Sequence, residues 1–97
     1  MTEINTYTLD VVVPLYNDEE VIESLCETVF NTLQNKFQSI RMILIDDGST
    51  DESYSVALRM RSVYDSIDVI KLAGNFGQHR AILAGLRSTS ADIVAVM

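Results

Sequence analysis

The chain has 97 residues, enough for one domain and too few for two. Apolar residues make up 47% and charged residues 22%, which is the composition of a globular protein rather than a disordered or disulfide-stapled one. The net charge of −7 opposes binding to nucleic acid or to an anionic bilayer, so we expect no nucleic-acid partner.

Four β-rich apolar runs alternate with three stretches of helical spacing, in the order β-α-β-α-β-α-β. The strands are predicted over residues 9–14, 41–46, 67–71 and 92–97. Ser49 and Glu52 have the spacing of a capping box and predict the start of the second helix there. The third helix is predicted after Gly77. Residues expected to face the core are Val21, Ile22, Leu25, Val29 and Leu33 in the first helix and Ala81, Ile82, Gly85 and Leu86 in the third, where the small residues permit close approach to the strands.

The first two strands carry the strongest signal for the fold. Residues 11–13 and 42–45 are continuously apolar, which is typical of parallel strands covered on both faces. Right-handed crossovers then fix the winding. We therefore predict an α/β, Rossmann-like half with a parallel sheet of about four strands in the order 3-2-1-4 and helices on both faces. In such a sheet the first and fourth strands are neighbours, and ligands bind outside their carboxyl ends.

The loop after the first strand is acidic where phosphate-binding folds carry glycines. Residues 14–20 read PLYNDEE, with neither the glycines of a dinucleotide fold nor a glycine-rich loop ending in Lys-Ser/Thr. Three consecutive acids would repel a diphosphate. This loop therefore needs a divalent cation to mediate any contact with phosphates.

The second strand ends in a run of polar residues, 46–51, that reads DDGSTD. An acid at the tip of this strand accepts hydrogen bonds from a ribose hydroxyl or from the ring N–H of a base, and Asp46 is the residue at that position. The alternative that Asp47 and the residues after it serve only as turn and N-cap residues stays open.

Four segments together resemble a known family: VVVPLYNDEE, LIDDGSTDES, NFGQHRAILAGL and ADIVAVM. The combination is similar to the polyprenyl-phosphate branch of family 2 glycosyltransferases, which have the GT-A fold, and the resemblance covers residues 9–97. It implies a parent enzyme that transfers a sugar from a nucleotide-sugar donor, UDP- or GDP-linked, to a polyprenyl-phosphate or saccharide acceptor. It also implies that Pro14, Tyr16, Asp18, Asp46 and Asp47 form the nucleotide-binding set, with Asp46 on the base.

The resemblance carries an expectation about what residues 1–97 contain. In the family a metal-binding D-x-D segment follows the fourth strand, so we expect this chain to be the nucleotide-binding part of the domain, ending before that motif. Mg²⁺ or Mn²⁺ is then expected in the intact parent, while the chain alone is expected to hold neither metal ligands nor catalytic residues and to be inactive. We also expect self-association through an exposed fourth strand.

Two alternatives from other classes remain at this point. A receiver-like signalling module is also a small doubly wound domain with clustered acids, although its acid pair would follow the first strand instead of the second. A non-catalytic α/β interaction module is the other.

The compartment is predicted from cysteine usage and from the amino terminus. Cys26 is the single cysteine and is interpreted as a small buried apolar residue. Residues 1–3 lack the basic and apolar regions of a signal peptide. We therefore expect a cytoplasmic protein, and whether a parent attaches to the cytoplasmic face of a membrane stays open.

Overall fold

The computed structural model describes residues 6–97, so the acidic start at residues 1–3 lies outside the described residues. Strands and helices alternate throughout. The elements are β1 (Thr8–Leu15), α1 (Ile22–Leu33), β2 (Ser39–Asp46), α2 (Ser53–Val63), β3 (Ile67–Lys71), α3 (Gln78–Leu86) and β4 (Ile93–Val96). Each predicted strand is present within two residues of its predicted bounds.

The four strands form one parallel sheet in the order β3-β2-β1-β4, which confirms the predicted topology. β1 is central, with Val12 opposite Ile43 of β2 on one side and opposite Val96 of β4 on the other. Val12 and Ile43 are fully buried. The apolar runs of β1 and β2 therefore form the middle of the sheet because both of their faces are covered.

The two faces of the sheet carry different helices. One face packs against α1 and α2 in a core that includes Cys26, which is fully buried as predicted; burial raises the pKa of its thiol to about 11. The other face packs against α3 alone, around Ala81. A Cβ on Gly85 would lie 2.5 Å from Cγ1 of Val12 and 2.7 Å from Cδ1 of Ile45. The absence of a side chain at Gly85 therefore lets α3 approach the sheet closely.

Three details of the predicted helices were wrong. Leu86, at the end of α3, is 40% exposed instead of facing the core. α1 begins at Ile22, and Val21 is 52% exposed instead of facing the core. α2 begins at Ser53 with no side-chain cap, so Ser49 and Glu52 do not form a capping box. The Ser53 amide instead donates to Oδ1 of Asp51 at 2.8 Å.

An ion-pair network joins three strands at the amino edge of the sheet. The Arg41 guanidinium donates to both carboxylate oxygens of Asp10, at 3.1 and 2.7 Å, and to Asp68 at 2.8 Å. Burial acts to raise the pKa of Asp10, but hydrogen bonds from Arg41 and from the amides of Ser90 and Ala91 outweigh it and lower that pKa below its usual value. The network also holds the segment between α3 and β4 against the sheet.

No helix within residues 6–97 combines the length and the apolar character needed to cross a bilayer.

Candidate functional site

The loops after β1 and β2 lie side by side at the carboxyl edge of the sheet, and Asn17 joins them. Its side-chain oxygen accepts hydrogen bonds from the amides of Thr50 and Asp51, at 2.9 and 3.3 Å, and from the Thr50 hydroxyl at 3.2 Å. The backbone N–H of Asn17 in turn donates to the hydroxyl of Ser49 at 3.0 Å. Asn17 has a φ of 53°, a left-handed conformation that asparagine tolerates better than most residues.

Further hydrogen bonds continue the contact between these two loops. The Asp18 amide donates to the hydroxyl of Ser53 at 2.8 Å, and the Glu19 amide donates to Asp51 at 3.3 Å. Desolvation acts to raise the pKa of Asp51, but the hydrogen bonds from Ser53 and Glu19 outweigh it and lower that pKa. The acidic loop after β1 is thus held by backbone and side-chain groups of its neighbour.

Asp47 ties the loop between β3 and α3 to the same edge. Its two carboxylate oxygens accept hydrogen bonds from the amides of Phe76 and Gly77, at 2.8 and 3.1 Å. Gly48 has a φ of 72°, and a Cβ there would lie 2.5 Å from the backbone nitrogen of Asn75. A glycine after Asp47 therefore allows two loops to meet in direct backbone contact.

These loops enclose a depression of about 200 Å³ at the carboxyl end of β1. Tyr16, on its rim, is 45% exposed, and its backbone amide donates to the Asp18 carboxylate at 2.9 Å. Four of the five predicted nucleotide-binding residues line the depression, together with three others: Pro14, Tyr16, Asp18 and Asp47 with Leu15, Gln78 and Met97. The depression lies where β1 separates β2 from β4, which is the position predicted for a ligand.

Asp46, the fifth predicted residue, is not among the residues that line the depression. It is the last residue of β2 and is only 1% exposed. Its Oδ1 atom is buried and has no hydrogen-bond partner in the described part of the chain. The assignment of Asp46 to a base contact stays a prediction.

The sequence analysis missed Leu15 and Met97, which line the depression, and two polar residues of this site, Asn17 and Gln78. Asn17 positions the loop that carries Tyr16 and Asp18, and its signal was an asparagine directly after a strand, where left-handed backbone is common. Gln78 is the first residue of α3 and lines the depression. Its signal was its place directly after Gly77, because the amino end of a crossover helix faces the carboxyl edge of the sheet.

The acids of this edge belong to two loops, and backbone amides already contact several of their carboxylate oxygens. Within residues 6–97, no three His, Cys, Asp or Glu side chains come together in a way that could hold a metal. Both oxygens of Asp47 and one oxygen of Asp18 already accept amide hydrogen bonds. The arrangement presents an aromatic ring and carboxylates to a ligand, which suits the N–H and O–H groups and the flat face of a nucleoside.

Comparison with known proteins identifies relatives along most of the chain. The family model described as "Glycosyl transferase family 2" matches residues 10–97. Undecaprenyl-phosphate 4-deoxy-4-formamido-L-arabinose transferases from Proteus mirabilis and Photorhabdus laumondii are 34% and 33% identical over 90 residues. Each match covers 92% of this chain, which spans 28% of the length of these relatives.

Solved structures share the fold. A Pyrobaculum calidifontis mannosyltransferase in complex with GDP-Man and Mn²⁺ superposes with a TM-score of 0.79 at 22% identity, covering 92% of this chain and 26% of its own. Glucosyl-3-phosphoglycerate synthase from Mycobacterium tuberculosis, in complex with Mn²⁺ and UDP-glucose, gives a TM-score of 0.67 at 26% identity, covering 91% and 31%. The first likeness shows the fold alone. The family match, which spans all of the chain from Asp10 onward, shows that this chain belongs to glycosyl transferase family 2.

Proposed function

We propose that this chain is the nucleotide-binding part of a transferase that moves a sugar from a nucleotide-sugar donor, UDP- or GDP-linked, to a polyprenyl-phosphate acceptor. The observation that carries the proposal is the depression at the carboxyl end of β1, lined by Pro14, Tyr16, Asp18 and Asp47. In this proposal Tyr16 stacks on the base, and Asp18 and Asp47 accept hydrogen bonds from the nucleoside. Asp46 lies at the end of β2 as a buried carboxyl group.

The relatives support the donor and the acceptor in different ways. The two structural neighbours described above hold GDP-Man or UDP-glucose, so a nucleoside diphosphate sugar is the donor class proposed here. The two sequence relatives are named for undecaprenyl phosphate, a lipid phosphate, which supports a lipid-phosphate acceptor over a saccharide chain. Such an acceptor would place the whole protein at the cytoplasmic face of a membrane.

The proposal includes a divalent cation for the intact parent and assigns none of its ligands to residues 6–97. Mg²⁺ or Mn²⁺ would offset the charge of a departing nucleoside diphosphate. Within residues 6–97 no group of three or more His, Cys, Asp or Glu side chains is placed to hold it, and no step of the proposal runs through a metal. What this part of the chain does is hold and orient the nucleoside.

The test is a calorimetric titration of the chain with uridine, UMP and UDP and with guanosine, GMP and GDP, with and without Mn²⁺. One of the two series is expected to bind, and affinity should fall from nucleoside to diphosphate because Asp18 and Asp47 repel phosphates. Added Mn²⁺ should change little. Tight, metal-dependent binding of a diphosphate would contradict the proposal for these residues.

A variant pair locates the binding. Tyr16→Ala removes an exposed ring without touching a buried group, and it should weaken binding by about 1–3 kcal/mol because base stacking is lost. Asp65→Asn, in the exposed turn between α2 and β3 at the opposite edge of the sheet, is the control and should bind like the unchanged chain. Equal affinities for all three proteins would show that the nucleoside does not bind in this depression.

A further inference from the structure

A second and larger depression lies along the exposed side of α3. It has a volume of about 450 Å³ and is termed the α3 groove, defined by Leu72, Phe76, Arg80, Leu83, Ala84 and Arg87. Phe76 and Leu83 are 51% and 48% exposed. Burial of such half-exposed apolar side chains against an apolar partner is favourable, so the α3 groove is a candidate binding surface.

The two arginines of the groove are aligned and unneutralised. Arg80 and Arg87 are seven residues apart, which places them two turns and about 10 Å apart on the same side of the helix. Among the described residues the ion pairs involve Arg41 only, and no acidic residue lines the α3 groove. Both guanidinium groups are therefore available to an external anion.

The acidic and basic residues are segregated along the sequence. Residues 69–91 contain no Asp or Glu and three basic residues, Lys71, Arg80 and Arg87. All fourteen acidic residues lie outside that segment, with the remaining four basic ones. The net charge of −7 thus divides into +3 on the segment that contains α3 and −10 on the rest. Lys71 lies over the Tyr54 ring of α2, so Arg80 and Arg87 are the basic residues that this segment presents on the α3 side.

We propose that the α3 groove docks this chain onto the surface of a bilayer that contains anionic lipids. Arg80 and Arg87 pair with lipid phosphates, while Phe76 and Leu83 enter the apolar layer just beneath the headgroups. An anionic surface repels the remainder of the chain, so the charge segregation also fixes the orientation, with α3 toward the lipid and α1 and α2 away from it. This surface goes beyond the proposed function and stands without it.

The experiment is co-sedimentation of the 97-residue chain with vesicles of phosphatidylcholine alone and of equal parts phosphatidylcholine and phosphatidylglycerol, at low salt. Binding is expected only to the anionic vesicles. Arg80→Gln with Arg87→Gln should weaken it by about 25-fold, which is about 1 kcal/mol for each basic residue at such a surface. The matched control is Arg59→Gln with Arg61→Gln, two exposed arginines of α2 on the opposite face, which should change the affinity less than about twofold.

A fluorescent reporter tests the orientation directly, because the chain has no tryptophan. Leu83→Trp places an indole in the α3 groove, and its emission should shift to the blue when anionic vesicles are added. Val63→Trp places one at the end of α2, at a residue that is 63% exposed, and its emission should not shift. Circular dichroism verifies that every variant is folded, and all of the substituted side chains are exposed in the structure.

Four results would overturn the proposal. Failure to bind anionic vesicles is one, and equal loss in both arginine pairs is another. Binding to phosphatidylcholine as strongly as to the anionic mixture would show an apolar contact without headgroup recognition. The fourth is that the chain does not bind vesicles and that the α3 groove binds a different partner. That partner would be an acidic peptide that binds through Arg80 and Arg87, or a second copy of the chain whose association the same substitutions abolish.

Discussion

Asn17 gives the sharpest test of how the candidate site is held together. Its side-chain oxygen accepts three hydrogen bonds from the neighbouring loop, and its φ of 53° disfavours most other residues. Asn17→Ala removes all three bonds from an exposed position, where water replaces part of each, and adds the strain of alanine in left-handed backbone. With roughly 0.5 kcal/mol for each bond and about 1 kcal/mol for the strain, the expected loss of unfolding free energy is about 2–3 kcal/mol.

Urea unfolding measures this loss. For a chain of this size the midpoint should fall by about 1–2 M, with an unchanged slope. Native-state amide exchange then localises the effect, because the amides of Thr50 and Asp51 lose their acceptor and should exchange faster than the strand amide of Ile43. Asn17→Asp keeps an acceptor oxygen and tolerates left-handed backbone, so it should recover most of the stability.

The control is Asn75→Ala, the same substitution in the loop before α3. Asn75 is exposed, has no left-handed backbone, and within residues 6–97 its side chain makes no hydrogen bond. It should change the unfolding free energy by less than about 0.5 kcal/mol. An Asn17→Ala chain as stable as this control, or with unchanged exchange at Thr50 and Asp51, would refute the role given to Asn17.

Three further predictions concern packing, acid stability and the nucleoside. Gly85→Ala should lower the unfolding free energy by about 1–2 kcal/mol in thermal melts, because overpacking against Val12 exceeds the helix propensity that alanine adds; a raised melting temperature would contradict this. Asp10→Asn should cost about 2–3 kcal/mol at neutral pH. Because folding lowers the pKa of Asp10, the difference in unfolding free energy between the two proteins should persist down to about pH 4 and narrow below it. A difference that does not depend on pH would contradict the stabilising role given to the ionised Asp10. Asp47→Asn should weaken nucleoside binding, measured by calorimetry, by about 1–3 kcal/mol, and Asp46→Asn should weaken it by less. Equal losses of affinity would show that Asp46 also contacts the nucleoside directly.

The sheet could be predicted from the sequence because its signal is local and strong. Residues 11–13 and 42–45 are apolar without interruption, a pattern that is stable only where both faces of a strand are covered. β3 was predicted with its observed bounds, and the strand order follows from right-handed crossovers. Helix α3 was also expected close to the sheet, because Gly85 offers no side chain.

The start of α2 could not be predicted because long-range hydrogen bonds override the local pattern. Ser49 and Glu52 have capping-box spacing, yet the Ser49 hydroxyl accepts a hydrogen bond from Asn17, 32 positions earlier in the chain. Asn17 also binds the amides of Thr50 and Asp51, so these residues belong to the loop and the helix begins after them. A pattern of four residues contains no information about a partner on another loop.

Asp46 and Asp47, both predicted to bind the nucleotide, are neighbours in sequence but lie on the two sides of the end of β2. Side chains alternate between the faces of a strand, and Met42 and Leu44 of β2 face the core under α1 and α2. β2 continues to Asp46, so alternation directs its carboxylate to that same buried face, which accounts for its 1% exposure. Asp47 is the first residue after the strand, where the backbone turns, and its carboxylate reaches the loop before α3 and the nucleotide depression. The strand end was predicted correctly, yet the surroundings of a carboxylate change completely from one residue to the next there, and only the alternation counted outward from the core shows which of the two is buried. The base contact assigned to Asp46 stays a prediction, which Asp46→Asn tests.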